Sequence, residues 1–241
     1  MESTLITLGY GDGTLVVPVP AASLAGILRP RVVPATGDQS LFVRRALSQP
    51  VASSRLRDLV RAGQRVAIIT SDVTRPCPSR QLLPPILEEL ASAGIPDESV
   101  TVVVALGLHR AMTRRELEAA IGHRLTGRVR VLNHDPSDVV PVGRTTAGTP
   151  VAFSRPVVEA DLRVCLGNLE FHYFAGYSGG VKALFPGCAG RETISANHAM
   201  MVSPEAVAGR IEGNPVRADL EEGAALLGVD FVLNVVTGEH G

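Results

Sequence analysis

Short apolar runs recur along this chain from residue 65 onward, and that rhythm restricts the fold more than any other feature. The runs are RVAIIT (65–70), TVVVALG (101–107), RVRVLNHD (128–135), DLRVCLGN (161–168) and VDFVLNVV (229–236). Runs of this length, rich in valine and other apolar residues with few polar interruptions, suit strands buried on both faces of a parallel sheet. Helical segments lie between them. SRQLLPPILEELASAG sets Leu82, Leu83, Ile86, Leu87 and Leu90 on one face and stops at Gly94. Pro84 and Pro85 conflict with a helix interior, so this helix is expected to begin late or to bend. Thr113 and Glu116 form a capping box that opens ELEAAIG, and PVRADLEEGAALLG predicts a further helix. The expected fold is α/β: a mostly parallel sheet with helices on both faces. Upstream, LITLGY and TLVVPVP joined by Gly11-Asp12-Gly13 predict a β-hairpin. Residues 29–40 read as a connecting segment, followed by two short helices, LFVRRAL and RLRDLVRAG, the second ended by Gly63.

Composition narrows the function classes. At 241 residues the chain is one large α/β domain or two small ones. The formal net charge of −1 offers no footing for nucleic acid or an anionic membrane. Cys77, Cys165 and Cys188 are widely spaced and form no CxxC pair, which favours reduced, buried thiols over disulfides or zinc. The start MESTLITLGYG lacks the basic and apolar regions of a signal peptide. No apolar run approaches the about 18 residues of a membrane span. The expected compartment is the cytoplasm.

Polar residues gather where the strands end: Ser71-Asp72, Gly107-Leu108-His109, Asn133-His134-Asp135 and Gly167-Asn168. Ligands of open α/β sheets bind beyond the carboxyl ends of the strands, so one rim is expected to collect the chemistry. Within Asp72-Val-Thr-Arg75-Pro76, Arg75 is suited to grip a carboxylate or phosphate, with Asp72 and Thr74 orienting it or binding a ligand hydroxyl. A surface turn with Asp72 capping the next helix explains the same residues equally well. His109 stands where a general base would, although a lone loop histidine is more often solvated. The stretch from Glu170 to His198 is the densest in chemistry. It places His172, Lys182 and His198 among glycines, with Lys182 in an apolar setting that would depress its pKa. His198 is expected near the start of a helix. His123, His134 and His240 read as structural or exposed. SGGVK lacks the spacing of a P-loop, and no GxGxxG follows the first βα turn.

Together these pieces resemble the N-terminal catalytic domain of the nickel-dependent lactate racemase family. The resemblance rests on DVTRP (72–76), GLHRAMTRREL (107–117), NHD (133–135), FHYFAGYSGGVKALFPGCAG (171–190) and ETISANH (192–198), in the family's order and over nearly the whole of residues 1–241. It implies a nickel-pincer nucleotide, a pyridinium-3-thioamide-5-thiocarboxylate mononucleotide joined covalently to Lys182, with His198 as the protein ligand to nickel. It further implies His109 and His172 as an acid/base pair and Arg75 as the substrate carboxylate's partner. Asp72 and the turn Ser178-Gly179-Gly180 fall where cofactor contacts are expected. The implied reaction is racemisation or epimerisation of a 2-hydroxy acid by reversible hydride transfer, a chemistry that the cofactor supplies. Separate cofactor biosynthesis enzymes are the implied partners. Family members carry a second, C-terminal domain that nothing in these residues resembles. An excised domain is therefore expected, with weak activity alone. The alternative is a non-catalytic domain that holds a nucleotide or cofactor for a partner domain or chain. A phosphate-binding hydrolase using Arg75 and Lys182 ranks behind both.

Overall fold

The computed structural model describes residues 2–29 and 38–237. Most of the connecting segment expected at residues 29–40 lies outside the described residues, as does the tail with His240. The chain divides into two units, the first of which holds the N-terminal hairpin. In it β1 (Ser3–Tyr10) pairs antiparallel with β2 (Gly13–Pro20), Leu8 opposite Leu15. Gly11, at φ +57°, turns the corner as expected.

The second unit begins with α1 (Gln39–Ser48) and α2 (Leu56–Leu59), then β3 (Val66–Ser71), α3 (Ser79–Ser92) and β4 (Val100–Ala105). Next come α4 (Arg114–Ile121), α5 (His123–Thr126), β5 (Arg130–Asn133), β6 (Val139–Arg144), β7 (Pro150–Ser154) and α6 (Arg155–Val158). The chain continues through β8 (Leu162–Asn168), β9 (Phe171–His172), β10 (Gly176–Tyr177), α7 (Arg191–Ala199), α8 (Pro215–Ala225) and β11 (Phe231–Val235).

Five strands form one parallel sheet in the order β11-β8-β3-β4-β5, so the predicted α/β class holds. Both faces are covered, and the period of two decides which side chain goes where. Ile68, Val102 and Val164 pack against Leu83, Ile86 and Leu90 of α3 and against α1 on one face. Their neighbours Ile69, Val103 and Cys165 pack on the other face with Phe153, Phe185 and Leu220. After β3 the chain winds outward through β4 and β5, then returns to add β8 on the opposite side of β3. The crevice of a doubly wound sheet opens where the winding reverses, which here is between β3 and β8.

Several local expectations need correction. Helix α3 starts at Ser79 despite Pro84 and Pro85. Its buried face of Leu82, Leu83, Ile86, Leu87 and Leu90 outweighs the two backbone hydrogen bonds that the prolines remove. Helix α2 ends at Leu59 and not at Gly63, because Val60 is already extended. The capping box at Thr113 and Glu116 forms as expected. The antiparallel pair β6–β7 was not anticipated; Pro141, Gly143 and Pro150 hide its alternation, and a register shift lies between Pro141 and Gly143.

Candidate active site

The carboxyl ends of the central strands deliver their polar residues to one side. Strand β3 leads into Asp72 and Arg75, β4 into Gly107 and His109, and β8 into Asn168 and Glu170. A cavity of about 340 Å³ lies there, a volume typical of small-ligand sites. Asp72, Arg75, His109, His172, Ser178, Gly179, Lys182 and His198 all line it. Of the residues predicted from sequence, Gly180 is not in the wall. Its N–H instead donates to Asn234 Oδ1 on β11 at 2.9 Å.

Glycine brings the turn at 178–180 hard against the end of β8. A Cβ on Gly167 would fall 2.8 Å from Gly179 Cα, and one on Gly179 would fall 2.7 Å from Leu169 Cδ2. Gly179 also holds φ +76°, a conformation that costs other residues energy. The Ser178 hydroxyl fastens this approach: it donates to Asn168 O at 2.6 Å and accepts from Glu170 N–H at 3.0 Å. Its only proton is thus committed to backbone.

Asp72 does not orient Arg75, nor does it cap α3, whose N-cap is Pro78. Its Oδ1 accepts from Thr74 N–H at 3.0 Å and Thr74 Oγ1–H at 2.6 Å, while Oδ2 lies 2.7 Å from His109 Nδ1. A carboxylate accepts, so Nδ1 of neutral His109 carries the proton and Nε2 keeps the lone pair. The arrangement is that of a general base steadied by a buried acid. Arg75 has a different carboxylate near it, Glu170 at 3.6 Å.

His172 is held in the opposite tautomer. Its Nδ1 accepts the Ala175 N–H at 3.2 Å, which puts the proton of the neutral ring on Nε2. Burial, together with the charges of Lys182, Arg75 and His198, pushes its pKa down to about 3. Lys182 falls to about 7 through burial first, then through Arg75 and Arg217. Burial and Lys182 also lower His198. Phe174 joins the three, its ring edge-on to His172 and His198 at 4.6 and 5.0 Å and 6.0 Å from Lys182 Nζ. These shifts describe desolvated bases that give up their protons, with Arg75 and Arg217 as the lasting positive charges that favour an anionic ligand.

His198 lies in the last turn of α7 and not near its start. Gly190 opens the helix immediately after the PGCAG turn, a boundary that the glycine-rich spacing obscures. His134 is buried, with Nε2 3.0 Å from Ala189 O, and His123 is exposed. Cys165 and Cys188 are buried and their thiols pushed up by it; Cys77 is only half-buried, contrary to expectation. Sequence reasoning missed Phe174, Glu170, Asn197, Asp219 and Asn234. Lys182 is the only lysine in the sequence, against 22 arginines.

Comparison with known proteins identifies the family and the fold. The lactate racemase N-terminal domain family matches residues 10–209. The lactate racemase of Thermoanaerobacterium thermosaccharolyticum is 35% identical over 238 residues, covering 96% of this chain and 56% of that protein. That of Lactiplantibacillus plantarum is 35% identical over 202 residues, covering 82% and 47%. The chain thus spans about half the length of the curated relatives it matches. The structure of the Thermoanaerobacterium thermosaccharolyticum lactate racemase apoprotein superposes with a TM-score of 0.83 over 97% of this chain and 56% of that one, at 35% identity. A Thermotoga maritima protein shares the fold at a TM-score of 0.68 and 23% identity, covering 83% of this chain and 51% of that one. The chain belongs to the lactate racemase N-terminal domain family.

Proposed function

We propose that this chain is the cofactor-binding and catalytic half of a cytoplasmic racemase or epimerase of 2-hydroxy acids, lactate being the first substrate to try. The observation that carries the reading is the convergence in one cavity of the buried Lys182 amine, whose pKa burial lowers to about 7, with two imidazoles of opposite tautomer. An amine that is about half neutral near pH 7 is a nucleophile and a point of covalent attachment. The surrounding positive charge suits a phosphate-bearing group and a substrate carboxylate.

The residues fit a nickel-pincer nucleotide. Among the described residues no three His, Cys, Asp or Glu side chains gather as a metal site. That supports a division of labour in which His198 contributes one donor to nickel and an organic group anchored at Lys182 contributes the rest. When bound, the nucleotide supplies the hydride acceptor. Arg75, half-exposed at the cavity wall, takes the substrate carboxylate. His109, with Nε2 free and Asp72 behind it, removes the hydroxyl proton of one enantiomer. His172, with its proton on Nε2, faces the oxygen as a hydrogen-bond donor. For the other enantiomer the two imidazoles exchange roles. Attachment at Lys182 removes a positive charge beside His172 and so raises its basicity toward what that exchange requires.

The test is intact-protein mass spectrometry with metal analysis on protein made alongside the cofactor biosynthesis enzymes. Nickel near one equivalent and a mass increment absent from Lys182→Ala are expected. The same increment in Lys182→Ala would overturn the assignment.

A further inference from the structure

Behind His198 lies a buried polar chain for which the chemistry above has no use. Asp219 of α8 is 2% exposed. Its Oδ1 accepts from Thr145 Oγ1–H at 2.5 Å, and its Oδ2 accepts from Thr149 Oγ1–H at 3.0 Å. Both threonines belong to the connection between β6 and β7. Asn197 of α7 is completely buried, and its Nδ2 donates to Asp219 Oδ2 at 2.8 Å and to Val216 O at 3.1 Å. Its Oδ1 lies 3.1 Å from His198 Nδ1. Burying a carboxylate is costly even when it is hydrogen-bonded, and an apolar packing of the same volume is often at least as stable.

The directions of these bonds are forced. A backbone carbonyl only accepts, as does a carboxylate, so the amide nitrogen of Asn197 must face Val216 and Asp219. The amide oxygen therefore faces His198 and can only accept. Nδ1 of His198 must carry the proton, and Nε2 keeps the lone pair. We propose that Asn197, anchored by Asp219, is a positioning residue that holds His198 in the Nδ1–H tautomer and so keeps Nε2 as its metal-donor atom. The purpose assigned to this device rests on the reading of His198 as the nickel ligand. Outer partners of metal-bound histidines act in this way, fixing both tautomer and ring orientation.

The tautomer can be read in the full chain without nickel, by long-range proton–nitrogen correlation NMR of nitrogen-15-labelled protein at pH 7.5. The His198 signals are assigned by their loss in His198→Gln. Wild type is expected to show a single Nδ1–H tautomer. Asp219→Asn, whose amide oxygen still accepts from Asn197, is expected to keep it. Asn197→Ala is expected to lose it to a mixture dominated by Nε2–H. In loaded protein, Asn197→Ala is expected to release nickel to a chelator at concentrations about 10–100-fold lower than wild type does. An Nε2–H wild type overturns the proposal whether or not Asn197→Ala folds, and so does an unchanged tautomer or unchanged nickel retention in a folded Asn197→Ala. Nickel missing from loaded wild type would instead sink the proposed function, so the two failures are distinguishable.

Discussion

Asp72 receives three donors, two from Thr74 and one from His109. This saturation predicts what Asp72→Asn would do. The two Thr74 donors keep the new amide oxygen on their side, so the amide nitrogen faces His109 Nδ1. Nδ1 must then accept, the proton moves to Nε2, and the proposed base loses its lone pair toward the cavity. Turnover of the loaded enzyme is expected to fall about 10²–10⁴-fold, the usual worth of a general base, with the thermal midpoint little changed. A variant within a few-fold of wild type in turnover would show that His109 is not the base. The same logic applies at the other imidazoles of the site: the partner of Nδ1 determines what Nε2 can do, and each of the three has a different partner.

Among the elements, the segment between β10 and α7 combines a run of short-range backbone hydrogen bonds with close backbone packing. Gly187 is its tightest point. Its carbonyl accepts from Gly107 N–H at 2.9 Å, tying the Lys182 loop to the end of β4. A Cβ there would meet Ala183 O at 2.2 Å and Ala105 Cβ at 2.6 Å, both of them held by packing. Gly187→Ala is therefore expected to destabilise by about 1–3 kcal/mol, the usual cost of overpacking, measured as a shift in urea midpoint. Gly127→Ala is the control, since its nearest contact is 3.7 Å away and its φ of −93° suits any residue. Equal midpoints for the two variants would show that the loop yields without cost.

For the molecule as a whole, the buried bases of the site link stability to pH. Lys182 titrates near 7 when folded and 10.5 when unfolded, so between those values the unfolded chain binds more protons and stability rises with pH. His172, lowered to about 3 from 6.5, adds a second rise between about 3 and 6.5 for the same reason. Urea midpoints of the cofactor-free chain are expected to increase from pH 7 to 10, and the increase to flatten in Lys182→Met. Parallel curves for the two proteins would contradict the buried, depressed amine. No helix among the described residues is long and apolar enough to cross a membrane.

The alternation of apolar runs with amphipathic segments was enough to read the parallel sheet, its helices and the collection of Asp72, Arg75, His109 and Asn168 at one rim, because strand period and burial are local properties of sequence. The glycine-dense stretch around Lys182 was equally legible, since little besides close backbone approach calls for that many glycines. Other features depend on residues distant in the chain. Asp72 partners His109 and not Arg75 because β3 and β4 are neighbours in register, Ser71 opposite Ala105. Asn234 reaches Gly180 because β11 lies next to β8. The tautomer of His109 follows from Asp72 at the end of the neighbouring strand, and that of His198 from Asn197 beside it in sequence, whose amide only the distant Asp219 and Val216 turn oxygen-first toward the ring. Hydrogen-bond direction is a property of pairs, and the chain order does not name the pairs.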